Sequence, residues 1–158
     1  YNYQYAGIIS REIKNAKIIH CFRNPLDNIL SIYRANFTRD NEFSSSLRDC
    51  TKIYLDQEEI MSNYKNRFRS KIYDLNYDSL VSNSNKEIKS LISWLDWKWE
   101  DSYLSPHLNK RSVLTSSSVQ VRSPINSKSI GGWKNYKDML QPAIEILTQT
   151  EKYQNLLL

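Results

Sequence analysis

Apolar residues recur along the chain with two different periods, which predict two strands and five helices. The apolar run at 17–22 predicts a strand that is covered on both faces. Alternating apolar residues at 71–77 predict a second strand. Apolar residues spaced three and four apart predict helices. These helices span residues 1–15, 25–37, 47–68, 84–94 and a final segment that begins at Gln141. The order of the elements indicates an α/β fold.

The junction between the first strand and the second helix carries the strongest local signals. Asn24 can cap the helix, Pro25 suits its first turn, and Asp27 lies where the helix dipole favours an acid. Arg23 ends the strand, and Ser31 follows it after two helical turns. In open α/β sheets this junction is a ligand site, and its free N–H groups favour phosphate. A salt-bridged arginine and a solvated serine would give the same pattern.

Length and cysteine content narrow the class of protein. The 158 residues suit a single domain, 1–158, with a substantial core. No apolar run reaches the roughly 18 residues of a membrane-spanning helix, so no membrane association is expected. Cys21 is expected to be a core thiol, and its distance from Cys50 matches no metal or redox motif, which favours a reducing, cytoplasmic compartment. Because the chain begins at Tyr1 rather than Met, we expect a fragment or a processed product.

The net charge of +5 is concentrated in one stretch. Residues 102–137, called the basic segment below, contain six basic residues and no acid. Residues 1–101 are nearly neutral, with 15 basic and 14 acidic side chains. The basic residues of the segment are Lys110, Arg111, Arg122, Lys128, Lys134 and Lys137. Such a stretch suits an anionic ligand, although a solvated basic loop has the same pattern.

The strand–helix junction resembles a known phosphate-binding element in its motif Arg23-Asn-Pro-Leu-Asp27 followed by Ser31. It is similar to the element that binds the 3′-phosphate in sulfotransferases, which transfer a sulfuryl group from 3′-phosphoadenosine 5′-phosphosulfate (PAPS). The residues of this motif are most similar to those of bacterial tyrosylprotein-sulfotransferase-like proteins, some of which carry tetratricopeptide repeats. The resemblance implies a P-loop-NTPase-like sulfotransferase fold, with a parallel sheet flanked by helices.

Three later motifs extend the resemblance over most of the chain. The stretch Asn76-Tyr-Asp-Ser-Leu80 resembles the family's Tyr-Glu-Asp-Leu type element, which would place Tyr77 near the cofactor. The stretch Gln120-Val-Arg-Ser-Pro-Ile-Asn126 resembles Gln-Val-X-Lys-Pro-Val-Asn of the tyrosylprotein enzymes, with Arg122 one position before the family's lysine. The stretch Ser129-Ile-Gly-Gly-Trp-Lys-Asn-Tyr136 resembles the end of the loop that covers the cofactor. By this resemblance, the basic segment is that loop.

The cofactor implied by the resemblance is PAPS, with adenosine 3′,5′-bisphosphate as the product and no metal. Lys128 would stand in for the arginine that cytosolic sulfotransferases carry before their Gly-X-Trp-Lys-Asn motif. Trp133 would pack near the adenine. The residues expected to bind the cofactor are Arg23, Ser31, Tyr77, Ser117, Gln120, Arg122, Asn126, Lys128, Gly132, Trp133 and Lys134.

The resemblance also implies parts that this chain does not contain. Sulfotransferases begin with a glycine-rich phosphate loop and carry their catalytic base upstream of the element matched by Arg23, whereas Gly7 is the only glycine before Gly131. No catalytic residue is therefore expected in the chain, and those residues are expected upstream of Tyr1. We expect the fold to be incomplete at its N-terminus. The strand at 17–22 would then keep one bare edge, which predicts low stability or self-association.

The function implied by the resemblance is sulfuryl transfer from PAPS to an acceptor hydroxyl on a protein tyrosine or a carbohydrate. This chain would carry the 3′-phosphate-binding half of the site and would be inactive alone. Two alternatives remain open: a basic module that binds nucleic acid or nucleotides, and a catalytically inactive remnant. Nucleic acid is the weaker expectation, because the positive charge is confined to one segment and no nucleic-acid motif is present.

Overall fold

A computed structural model describes residues 2–35, 37, 41–112 and 120–157. Two strands, β1 (Ile18–Phe22) and β2 (Ile72–Asn76), pair in parallel within this part of the chain. Ile18 lies opposite Ile72, and Phe22 lies opposite Asn76. The helices are α1 (Ala6–Glu12), α2 (Pro25–Ala35), α3 (Leu47–Arg67), α4 (Tyr77–Ser82), α5 (Ser84–Leu95) and α6 (Gln141–Leu147). The predicted parallel sheet flanked by helices is confirmed.

The main core lies between α2, α3 and α6. Each of these helices turns an apolar stripe towards the other two, as the helical spacing of their apolar residues predicts. The fully buried side chains of this core include Leu26, Ile29, Cys50, Leu140 and Leu147. A smaller cluster of Ala6, Met61 and Ile72 joins α1, α3 and β2. The main core therefore holds α2, and with it the strand–helix junction, in a fixed position.

The first helix packs against α3 through its small residues rather than through its large apolar ones. A Cβ on Gly7 would lie 2.4 Å from the Tyr64 ring, so only glycine allows this close approach. Ala6 and Ser10 are buried on the same side. The large apolar residues of the helix predicted over 1–15, which are Tyr5, Ile8, Ile9 and Ile13, are exposed instead. Steric fit to the Tyr64 ring decides which face of α1 is buried.

Strand β1 is covered on one face only, which contradicts the expected coverage on both. His20 is buried on the α3 side, whereas Ile19 and Cys21 are exposed on the other. The physical reason is that α5 packs against β2, and in the described residues β1 pairs with β2 alone. Cys21 is therefore a surface thiol and not the predicted core thiol.

The basic segment has little regular structure beyond isolated helical turns. The described parts of it contain short 3₁₀ turns, among them Pro106–Leu108, Gln120–Arg122 and Gly132–Tyr136. Backbone and side-chain hydrogen bonds, rather than a sheet or a long helix, fix its path. Among the described helices, none combines the length and the apolar content needed to cross a membrane.

Candidate functional site

The start of α2 is capped by the residue that the sequence predicts. The Asn24 side-chain oxygen accepts hydrogen bonds from the backbone N–H groups of Leu26 at 3.0 Å and Asp27 at 3.2 Å. Its own backbone N–H donates to Asp78 Oδ2 at 2.9 Å, which ties the junction to α4. The N–H groups of this helix end are thus partly occupied, so an anion would bind beside the first turns of α2 rather than on its tip.

Asp27 joins α2 to the Gly-Gly-Trp part of the basic segment. Its buried carboxylate accepts hydrogen bonds from the backbone N–H groups of Gly131 at 2.7 Å and Trp133 at 2.9 Å. Gly131 has φ = 70°, a left-handed conformation that favours glycine. Successive N–H groups in such a turn form a concave anion site, and here Asp27 fills it. The turn at Gly131 and Gly132 therefore binds the carboxylate of Asp27, a residue of the chain itself.

Arg23 lies at the centre of the contacts between the junction and the basic segment. Its guanidinium donates to the Ser129 carbonyl oxygen at 2.5 Å and lies 3.7 Å from Asp27 Oδ2. It also lies 5.0 Å from the centroid of the Tyr77 ring, a cation–π contact. The buried Nε of Arg23 has no hydrogen-bond partner among the described residues. This arginine is therefore held in place by contacts with the basic segment and with α4.

An open cavity of about 420 Å³, called the polar cavity below, lies between α2 and the basic segment. Three cationic side chains line it, and its only acid among the described residues is Asp27, which is occupied by backbone N–H groups. The polar and cationic residues of its wall include Arg23, Ser31, Arg34, Gln120, Lys128 and Ser129, with Gly132 beside them. A site with excess positive charge and several donors suits a small anion.

A larger cavity of about 900 Å³, called the apolar cavity below, adjoins the polar one. Gln120, Lys128 and Ser129 line both cavities and form their common wall. The rest of the apolar cavity is lined mainly by side chains of α4, α5 and the residues after α5, among them Leu80, Val81, Ile88, Leu91 and Trp97. Such an arrangement suits a ligand with a charged group and a flat or apolar group joined to it.

Most of the residues predicted to bind the cofactor lie on these two cavities. The polar cavity brings together five of them: Arg23, Ser31, Gln120, Lys128 and Gly132. The apolar cavity adds Tyr77 and Asn126. Ser117, also predicted, lies outside the described residues. Residues that are separated by about a hundred positions in the sequence therefore meet in one place, and their assignment to a cofactor stays a prediction.

Three other predicted residues lie away from the cavity walls. Arg122 donates to the backbone carbonyl oxygens of Asn109 and, at 2.6 Å, Arg111, so its charge is used to close the loop between them. Trp133 packs its side chain against the main core. Lys134 is exposed on the short helical turn that follows the glycines. The cofactor contacts expected of these residues therefore stay predictions, which no part of the two cavity walls supports.

Two residues of the site were not predicted in the positions that they take. Arg34 lines the polar cavity three residues after Ser31, and the shared helical face of the two residues was a sequence signal that could have found it. Asp27 was expected to interact with the helix dipole, whereas its carboxylate holds the basic segment. No local sequence pattern predicts the contact between Asp27 and the basic segment, because Gly131 and Trp133 lie 104 and 106 residues after Asp27.

Comparisons with known proteins bear on the family and the fold of the chain. The model of the sulfotransferase family matches residues 1–101, which include both strands and α2. An uncharacterized protein of Aquifex aeolicus (strain VF5) is 34% identical over an alignment of 167 positions, which covers 98% of this chain and 22% of that protein. A sulfotransferase domain from the curacin biosynthetic pathway has a similar fold, with a TM-score of 0.66 and 16% identity, over 92% of this chain and 59% of that domain.

Proposed function

The chain belongs to the sulfotransferase family, and we propose that it binds the 3′-phosphate end of PAPS in the polar cavity. The observation that carries this proposal is the meeting of Arg23, Ser31 and Lys128 in one open cavity with no uncommitted acid among the described residues. A phosphate monoester carries close to two negative charges at neutral pH and three acceptor oxygens, which match these donors.

The nucleoside part of the same molecule is assigned to the apolar cavity. The shared wall of Gln120, Lys128 and Ser129 allows one ligand to extend from the polar cavity into the apolar one. Tyr77 lies on this path, with Arg23 against its ring and the apolar cavity beside it. A purine base can stack on such aromatic and apolar walls.

The reaction proposed for the whole protein is transfer of a sulfuryl group to an acceptor hydroxyl, on a protein tyrosine or a carbohydrate. The acceptor oxygen attacks the sulfur, the bond from sulfur to the bridging oxygen breaks, and adenosine 3′,5′-bisphosphate leaves while a base takes the hydroxyl proton. The described residues of this chain would hold and neutralise the nucleotide, which is positioning and electrostatic work. We assign none of them as the base.

The test is calorimetry of the chain with adenosine 3′,5′-bisphosphate, adenosine 5′-phosphate and a mixed oligonucleotide. We expect selective binding of the bisphosphate, because only it places a phosphate in the polar cavity while its base occupies the apolar one. Arg23→Ala should weaken this binding by about tenfold to a hundredfold, since it removes a charged donor. Arg23→Lys should recover part of the loss, because a lysine keeps the charge without the planar fork.

Lys137→Ala is the matched control for this experiment. Lys137 lies in the same basic segment but on neither cavity wall, so its removal lowers the segment's charge without touching the proposed site. Its affinity for the bisphosphate should stay within about twofold of the unsubstituted chain. Equal binding of the oligonucleotide and the bisphosphate, with equal losses in both variants, would favour a general basic surface and contradict the proposal.

A further inference from the structure

Arg122 joins two stretches of the basic segment through backbone groups rather than through an ion pair. Its guanidinium donates from Nη1 to the carbonyl oxygen of Asn109 and from Nη2, at 2.6 Å, to that of Arg111. These carbonyl groups lie 13 and 11 positions earlier in the sequence. Among the described residues, none of the ion pairs includes Arg122. The positive charge of Arg122 therefore acts inside the segment, on two carbonyl dipoles.

Each of the two stretches that Arg122 joins is a short turn with its own local hydrogen bond. In the first, Asn109 Oδ1 accepts from the backbone N–H of Arg111 at 2.9 Å, as in an Asx turn. In the second, which is the 3₁₀ turn Gln120–Arg122, the N–H of Ser123 donates to the Gln120 carbonyl oxygen at 3.0 Å. Because the turns are short, contacts between them determine how they lie relative to each other. The Arg122 guanidinium supplies two of these contacts.

The turn that ends at Arg122 carries a side chain shared by both cavities. Gln120 lines the polar and the apolar cavity, and Val121 lines the apolar one, whereas Arg122 lines neither. The Gln120 amide has two N–H donors and an acceptor oxygen, which can serve a nucleotide only from a defined position. Gln120 is itself exposed, so packing does not define that position. The hydrogen bonds of Arg122 therefore help to determine where Gln120 lies in the common wall.

We infer that Arg122 is a positioning residue, which acts through Gln120 to hold the common wall of the two cavities in the geometry that binds a nucleotide. This inference rests on the proposed function, because it names a residue that supports the same site without contacting the ligand. The planar guanidinium presents its N–H groups in a fixed fork, which reaches two carbonyl oxygens at once. A lysine keeps the charge but has a single nitrogen, so it cannot reproduce both bonds in this geometry.

The experiment measures the affinity for adenosine 3′,5′-bisphosphate by calorimetry in the unsubstituted chain and in four variants. The variants are Arg122→Ala, Arg122→Lys, Gln120→Ala and the double variant with alanine at both positions. We expect each single variant to weaken binding by about fivefold to tenfold. The double variant should bind no more weakly than the weaker of the two alanine variants, because two residues that act through one contact do not have additive effects.

Arg111→Ala is the matched control for this experiment. It removes an exposed charge from the same segment, lines neither cavity and keeps the backbone carbonyl group that accepts from Arg122. Its affinity for the bisphosphate should stay within about twofold of the unsubstituted chain. Urea unfolding of all the variants separates lost binding from lost folding. Since Arg122 is exposed, its variants should keep the urea midpoint of the unsubstituted chain.

Each outcome supports or overturns the inference. Full affinity in Arg122→Lys would show that the charge alone is sufficient, and additive losses in the double variant would show that Arg122 acts independently of Gln120. Either result would overturn the inference, as would a lower urea midpoint in every variant that binds weakly. Unchanged affinity in Arg122→Ala, with strong binding by the unsubstituted chain, would overturn the inference and leave the proposed function standing. Failure of the unsubstituted chain to bind the bisphosphate would overturn both.

Discussion

Two clusters of charged residues lie on the β1–β2 unit, and they use their carboxylates differently. In the first, Asp74 on β2 accepts from three side chains: His20 at 3.0 Å, Lys65 at 3.2 Å and Arg69 at 3.1 Å. In the second, at the carboxyl end of β1, Asp27 accepts from two backbone N–H groups. Arg23 lies 3.7 Å from Asp27, farther than a hydrogen bond.

The difference shows how a fold separates a structural cluster from a binding site. The Asp74 carboxylate is paired with the three side chains around it, so this cluster leaves no cation for a ligand. Asp27 accepts hydrogen bonds from backbone N–H groups, and these bonds fix the wall of the polar cavity. The three cations of that wall, Arg23, Arg34 and Lys128, are then available to a ligand. A cluster of acidic and basic residues can therefore be structural or can bind a ligand. Which of the two it does depends on whether its carboxylate pairs with the basic side chains or with backbone N–H groups.

The largest effect in this comparison should come from Asp27→Ala. Loss of the carboxylate leaves the N–H groups of Gly131 and Trp133 without acceptors and frees the wall of the polar cavity. We expect the free energy of unfolding to fall by about 2–4 kcal/mol, and bisphosphate binding to be lost. Urea unfolding followed by tryptophan fluorescence, with calorimetry, measures both. Asp56→Ala, at an exposed position of α3, is the control. Equal stability and equal binding of the two variants would refute the assignment of Asp27.

A smaller effect, on stability alone, is expected from Asp74→Asn. Burial by itself raises the pKa of Asp74, but the hydrogen bonds from His20, Lys65 and Arg69 outweigh it and lower that pKa below its usual value. The stability that this carboxylate contributes is therefore present above its unfolded pKa of about 4 and is lost as the pH falls through its lower folded pKa. We expect a loss of about 1 kcal/mol at pH 7 with unchanged bisphosphate binding.

The pH dependence provides the check on Asp74. Urea unfolding of the unsubstituted chain and of Asp74→Asn should differ at pH 7, and the difference should shrink as the pH approaches 3, because the unsubstituted chain alone loses the charge. A difference that stays constant over this range would mean that the charge of Asp74 contributes nothing, and that the substitution acts only through packing.

The smallest effect should come from Arg69→Ala. The Arg69 side chain is 70% exposed, so its pairing with Asp74 is screened by water, and His20 and Lys65 stay as donors. We expect the free energy of unfolding to change by less than about 0.5 kcal/mol, and bisphosphate affinity to stay unchanged. Urea unfolding and calorimetry measure these values. A loss as large as that of Asp74→Asn would show that the exposed donor dominates the cluster, which the geometry does not support.

The helices and strands of this fold were largely predictable, because the spacing of apolar residues and the helix caps depend on residues that are close together in the sequence. Asn24 caps α2 as predicted, and α3 and β2 occur close to their expected bounds. The exposure of Ile19 and Cys21 was not predictable. The sequence shows that these side chains are apolar, but not whether another element covers them. That depends on which strand α5 packs against.

The sequence predicted part of the set of residues that line the two cavities, but not the contacts that each of them makes. Motif resemblance groups Arg23, Ser31 and Lys128, and the structure places all three on the wall of one cavity. It also assigns Arg122 to the cofactor, whereas in the structure the Arg122 guanidinium donates to backbone carbonyl oxygens of the same segment. It also passes over Arg34, because the motif ends at Ser31, three residues before that arginine.

The contact between Asp27 and Gly131 also determines when the site can appear during folding. The two residues are 104 positions apart, so the chain must close a loop of that length before the polar cavity has its second wall. Closure of long loops is entropically costly and slow compared with formation of helices such as α2. A nascent chain that has produced β1 and α2 already contains Arg23 and Ser31, but it has no cavity. Nucleotide binding would therefore report the last stage of folding, after the C-terminal part of the chain has docked.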